Sequence, residues 1–208
     1  MPHVELIPDR CALIVNDMEQ RMVEPSSPFF APEALEALDR LLPLMEFCRS
    51  QNIPTVFALI GSENIVEKAV VRQELPPEAI ADPMLCRKAD RFGEHPNDFV
   101  FVKRWMSGCI SGTPVVEYVR NRGRDTLLVA GTTLQFGCDT TIREASNLGF
   151  KVVALHDCCA ARPVVDQGWG AVSEQEVRKA FLSTWQKAFA RLMTAAEALA
   201  ELRAASYV

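Results

Sequence analysis

LLVAGTTLQFGCDTTIREA, residues 127–145, is the stretch whose reading decides the fold. Leu127, Leu128, Val129 and Ala130 make an apolar run of strand length, and a helical pattern follows from Thr140 until Gly149 ends it. Between them lies a turn of small and polar residues with one cysteine. Strand, tight turn and helix is how an α/β protein presents a reactive group, because backbone N–H groups at the start of the new helix stabilise negative charge developing there. Two neighbours, Gly137 and Cys138, compete for the reactive place.

Outward from this stretch the same alternation recurs. CALIVN, residues 11–16, is a continuous apolar run of the kind buried on both faces of a parallel sheet, and Asp17 follows it at once. Leu35, Leu38, Leu41, Leu42, Met45 and Cys48 repeat at helical spacing over residues 32–50, where Pro43 threatens a kink. Residues 53–60 (IPTVFALI) and 99–102 (FVFV) read as further strands, the second delivering Lys103 at its end. A helix over 113–121, a strand over 151–155 closing on His156 and Asp157, a helix over 173–191 with Ser173 and Glu176 as a capping box, an edge strand at 192–194 and an Ala-rich helix complete the pattern. It predicts one three-layer α/β/α domain over residues 1–208, with a mostly parallel, Rossmann-like sheet of about six strands. Residues 61–97, polar and proline-containing, read as a variable segment covering a site.

Composition narrows the function. A net charge of −5, with no basic stripe interleaved with aromatics, argues against nucleic acid as partner. The seven cysteines are scattered, without a CxxC pair, which disfavours a disulfide framework or a zinc site. His95 stands alone, and neither metal nor cofactor is assigned. No apolar run nears the roughly 20 residues that span a bilayer, and the first residues carry no long apolar core of a secretory signal. A reducing cytoplasm and no membrane partner are therefore expected.

In open α/β sheets, ligands bind beyond the carboxyl ends of the strands. Asp17, Lys103 and the Gly137-Cys138 turn all fall at such ends, although far apart in sequence. Each also has a plain reading: a loop aspartate, a solvated lysine, a buried small thiol.

At these residues the chain resembles the isochorismatase-like hydrolase superfamily, also called the isochorismatase-like cysteine hydrolases. The resemblance rests on residues 11–29 (CALIVNDMEQRMVEPSSPF), 99–115 (FVFVKRWMSGCISGTPV), 127–145 and 151–161 (KVVALHDCCAA), in that order. It implies the α/β fold, a hydrolase, association into homo-oligomers, and a triad of Asp, Lys and Cys in most members. Asp17 would accept and donate the proton, Lys103 would stabilise charge, and a cysteine would form a covalent acyl intermediate. It further implies a cis peptide between Thr132 and Thr133, with the N–H groups of Thr133 and of the residue in the nucleophile's place forming an oxyanion hole.

The chain departs from this pattern at the nucleophile. Family spacing from Gly131 puts Gly137 in the cysteine's place, and Thr141, Glu144 and Ala145 keep that register. Cys138 is one residue late, a rotation of roughly 100° at a helix start. A Gly-Cys pair followed by two threonines is similar to the branch that hydrolyses isochorismate, a vinyl ether, without a thiol. There the aspartate protonates the enol-ether methylene and water attacks the oxocarbenium carbon. Such an acid needs burial to raise the Asp17 pKa against the lowering effect of Lys103.

The expectation is therefore a hydrolase of a small, carboxylated metabolite working through Asp17, Lys103 and Gly137, with Thr132 and Thr133 at the oxyanion turn. Arg72, Arg87, Lys88 and Arg91 fit a dicarboxylate, or are solvated charges on short helices; Trp105 walls a pocket or merely packs. Two alternatives stay open. One is a thiol amidohydrolase using Cys138; the other is an inactive relative that binds a ligand or partner.

Overall fold

The protein is described from a computed structural model covering residues 4–27, 29–60, 84–103, 110 and 112–206. Six strands, β1 (Cys11–Asn16), β2 (Thr55–Leu59), β3 (Asp98–Val102), β4 (Thr126–Thr132), β5 (Lys151–Ala160) and β6 (Arg191–Met193), form one sheet in the order β3-β2-β1-β4-β5-β6. Every neighbouring pair is parallel. The chain winds one way from β1 through β2 to β3, then returns to the far side of β1 and winds the other way. The carboxyl ends of β1 and β4 thus flank the point where the winding reverses, the usual place for a ligand in this architecture.

Six helices among the described residues cover the sheet: α1 (Gln20–Val23), α2 (Pro32–Ser50), α3 (Val115–Arg120), α4 (Asp139–Asn147), α5 (Glu174–Ala188) and α6 (Ala195–Ala205). Strand side chains alternate between two cores. Leu13 and Val15 of β1 pack with Leu38, Leu41 and Leu44 of α2 and Leu202 of α6. Ala12 and Ile14 face the opposite layer, with Val119 of α3, Ile142 of α4 and Trp185 of α5. Both faces of β1 are buried throughout, which is why its sequence is continuously apolar rather than alternating.

Pro43 does not divide α2: it is exposed, so the lost hydrogen bond and the ring lie on the solvent side of the helix. The strand expected at 151–155 instead runs on to Ala160. Its register against β4 slips, Val129 pairing with Ala154 but Gly131 with Cys159, so His156 and Asp157 sit inside the irregular part of β5 rather than after it. The edge strand begins at Arg191 and ends at Met193. Of the segment expected to cover the site, residues 61–83 lie outside the described residues. The rest pairs back on the chain after β1, with Gln20 N donating to Arg87 O (2.9 Å) and Ala89 N to Met18 O (3.1 Å). No described helix is long and apolar enough to cross a membrane.

Candidate functional site

Asp17 follows β1 in the left-handed region, at φ 47°, a conformation that turns the chain sharply out of the sheet. Two neighbouring strand ends hold it there. Its N–H donates to Ala58 O (2.8 Å), and its carbonyl accepts from Thr132 Oγ1 (2.6 Å). The carboxyl ends of β1 and β4 can meet this closely because residue 131 is glycine: at φ 136°, a Cβ there would stand 2.1 Å from Asn16 O.

Lys103 arrives from the end of β3, its N–H donating to Leu59 O (2.8 Å). Its Nζ donates to Asp17 Oδ2 at 2.6 Å, and both side chains are buried, Lys103 1% and Asp17 2% exposed. Asp17 Oδ1 has no hydrogen-bond partner among the described residues. One carboxylate oxygen is therefore pinned by a cation, and the other is buried without such a partner among the described residues. Burial pushes the Asp17 carboxyl up to about 7, outweighing the opposing pull of Lys103. A carboxyl in that range is both proton donor and proton acceptor near neutral pH.

After β4, Leu134–Cys138 forms a single π-turn that leads into α4, and the Thr132–Thr133 peptide before it is cis. Thr141, in the first turn of α4, donates from Oγ1 to Asn16 Oδ1 (3.1 Å), fastening the helix to the end of β1. Gly137 faces the carboxylate: a Cβ built on it would lie 2.8 Å from Asp17 Oδ2 and 3.3 Å from Thr132 O. Cys138 turns the other way. It is fully buried in the core with Leu134, Ile142 and Cys159. Burial there, together with Cys159, pushes its thiol well above the ordinary value, opposite to what a nucleophilic thiolate needs.

Asp17, Lys103, Thr132 and Gly137 are thus brought together, with Thr133 next in the chain. Of the proposed anion-binding residues, the described ones make ion pairs of their own. Arg87 pairs with Asp90 (2.7 Å), Lys88 with Asp98 (2.8 Å) and Arg91 with Asp39 of α2 (2.6 Å). Arg72 and Trp105 lie outside the described residues. Beside Lys103 a cavity of about 300 Å³ opens between Phe101, Val102, Gly112, Thr113 and Pro114, at the small end of the range for ligand pockets. A larger one, about 500 Å³, lies at the opposite, amino ends of the strands among Pro54, Asp98 and Arg124, remote from the pair.

Two charged residues that sequence reasoning passed over belong to the site's surroundings. Glu19 and Arg21 are wholly buried and form an ion pair. Their signal was the alternation Asp17, Glu19, Arg21 immediately after a buried strand, where a solvated loop would not need such regular charge.

The architecture is that of a doubly wound α/β protein with a buried acid–lysine pair at its switch point. The chain belongs to the isochorismatase domain family, which matches residues 11–197. It is 25% identical over 157 residues to enterobactin synthase component B of Escherichia coli K12, covering 74% of this chain and 53% of that protein. It is 26% identical over 154 residues to the isochorismatase of Bacillus subtilis, covering 74% and 49%. The chain therefore spans about half the length of these two relatives. A cysteine hydrolase of Pseudomonas syringae pv. phaseolicola superposes with a TM-score of 0.87 at 25% identity, over 98% of this chain and 97% of that one.

Proposed function

We propose that this chain is a hydrolase of a small, carboxylated metabolite, and that Asp17 and Lys103 carry acid–base chemistry without a covalent thiol. One observation carries the reading: the backbone position facing the Asp17 carboxylate is Gly137, where a Cβ would stand only 2.8 Å from Oδ2. There is no side chain at that place to attack a substrate, and Cys138 belongs to the apolar core. The free oxygen of a carboxyl held near 7 suits proton donation to a carbon or to a leaving oxygen. In the vinyl-ether version, the Asp17 proton goes to the enol-ether methylene. Water then adds to the resulting oxocarbenium carbon, returns a proton to Asp17, and the hemiketal breaks to a ketone and an alcohol. Lys103 holds Oδ2 at 2.6 Å, which leaves Oδ1 as the oxygen to carry the proton. The N–H groups of Thr133 and Gly137 would stabilise oxygen charge at the turn. Isochorismate-type substrates are favoured by the Bacillus subtilis relative.

A second reading draws on the Pseudomonas syringae relative, described as a cysteine hydrolase. It needs Cys138 to leave its core position and act as nucleophile on an amide. The two readings separate in one experiment, steady-state turnover of vinyl ethers and amides by two variants. Acid–base chemistry predicts that Cys138→Ala stays active and that Asp17→Asn loses about 100- to 10,000-fold in kcat/KM. Inactive Cys138→Ala would transfer the function to the thiol.

A further inference from the structure

The groove of about 500 Å³ at the amino ends of the strands takes no part in the proposed reaction, yet its size is that of a ligand pocket. Three flat groups stand together in its wall. Phe99, at the start of β3, lies against Tyr118 of α3 with ring centroids 4.2 Å apart and planes 10° from parallel. Arg122, just after α3, sets its guanidinium over the Tyr118 ring, 3.8 Å from the centroid. Its Nη1 also donates to Tyr118 O (3.1 Å), which fixes the fork in place. A guanidinium held by its face keeps an edge for a second partner, and that edge matches the paired oxygens of a carboxylate or phosphate.

The charges that line the groove do not cancel. Asp98 accepts from Arg49 Nε (3.1 Å) and Nη2 (2.7 Å) and from Lys88 Nζ (2.8 Å), so its charge is already matched. The contacts of Arg122 among the described residues are the ring and carbonyl of Tyr118, neither of them an acid. Arg124 donates to Pro8 O (2.9 Å), and the acid nearest to it, Asp9, stands 3.9 Å away with its side chain 97% exposed. Two cations therefore line one groove without a close carboxylate, in a chain whose net charge is −5. Asn97 and Asn52, joined at 3.1 Å through Nδ2 and Oδ1, add neutral hydrogen-bonding groups to the same lining.

We propose that this groove is a second binding site, for a small, flat organic anion: an unsaturated ring that bears a carboxylate or a phosphate. Arg122 grips the acid group by its edge, Arg124 supplies the second positive charge, and Phe99 and Tyr118 receive the ring. β3 runs from the groove at Phe99 to Lys103 at its far end, so an occupant does not compete with a reactant at Asp17. The proposal is independent of the chemistry assigned to Asp17.

The test is ¹⁵N NMR of the full chain titrated with benzoate, AMP, benzamide and inorganic phosphate. Benzoate or AMP is expected to move the amide signals of Asn97, Phe99, Arg122 and Arg124 saturably. Arg122→Glu should weaken that binding by about tenfold or more, the scale of one lost charge-assisted hydrogen bond, and uncharged benzamide should be weaker than benzoate by a similar factor. Asp17→Asn should bind as the native chain does, which separates this groove from the candidate active site. Binding of benzoate alone assigns the carboxylate, and of AMP alone the phosphate; either supports the site. The absence of a saturable shift at these residues overturns the proposal, as does binding that Arg122→Glu leaves undiminished. Inorganic phosphate bound as tightly as AMP overturns it too, because the ring would then contribute nothing. If Arg122→Glu lowers the melting temperature, Arg122→Gln makes the same comparison without the reversed charge.

Discussion

Gly137 and Cys138 are neighbours with opposite surroundings, and that difference is the chemistry. A Cβ at 137 would press on Asp17 Oδ2 at 2.8 Å, the same oxygen that Lys103 holds at 2.6 Å. The obstructed atom is the far end of a side chain, so the fold tolerates a methyl group there while the acid loses its orientation. Gly137→Ala is therefore expected to lower kcat/KM about 100-fold, the cost of misplacing a catalytic group by about an ångström. Its melting temperature should change little; a collapse of the melt instead would make residue 137 a folding position. Asp17 holds its proton up to about pH 7, against an ordinary value of 3.8, with burial the main cause. If the protonated form is the working one, kcat/KM falls as pH rises through about 7, and Lys103→Met, which removes the charge that lowers Asp17, moves that fall to higher pH. Stability follows the same sign. The folded chain binds this proton more tightly than the unfolded one, so the contribution is full below about pH 4 and disappears as pH rises through about 7. Melting temperature against pH, compared between the native chain and Asp17→Asn, measures it.

Elements were legible where a local signal existed. β1 and α2 have the bounds that hydrophobic periodicity predicts, because one is buried on both faces and the other on one stripe. Ser173 accepts from Glu176 N (3.3 Å) while Glu176 accepts from Ser173 N (2.8 Å), the capping box that the spacing announced at α5. The same spacing at Thr194 and Glu197 caps α6, a signal present in the sequence but not read. The continuation of β5 through His156-Asp157-Cys158-Cys159 could not be seen, since polar residues in a strand reflect tertiary partners: Asp157 Oδ1 accepts from Ala195 N (2.9 Å) and Arg178 Nη1 donates to His156 O (3.0 Å). The α5 cap supplies a control at this scale. Ser173→Ala, distant from Asp17 in the chain and on an exposed cap, should cost about 1 kcal/mol of stability with kcat/KM unchanged. Denaturant unfolding beside turnover checks both halves.

At the scale of the whole molecule, strand order decides what meets what, and no local pattern encodes it. The site residues could be placed at strand ends from sequence, yet the tie of Ile60 N to Glu19 and that of Thr141 to Asn16 depend on β1 lying between β2 and β4. The same packing governs the thiols. Six cysteines, Cys11, Cys48, Cys86, Cys138, Cys158 and Cys159, are buried and unbridged, and the seventh, Cys109, lies outside the described residues. Burial raises the Cys11 thiol to about 12 and drives Cys48, Cys138 and Cys158 upward as well, so these groups are both inaccessible and unionised at neutral pH. A chromogenic disulfide reagent should therefore find at most one fast thiol in the native chain and all seven in denaturant. The slow native phase should track unfolding, accelerating with urea as the melt does. Rapid stoichiometric labelling of Cys138 in the folded chain, mapped by peptide mass spectrometry, would contradict this packing and strengthen the thiol reading over acid–base hydrolysis.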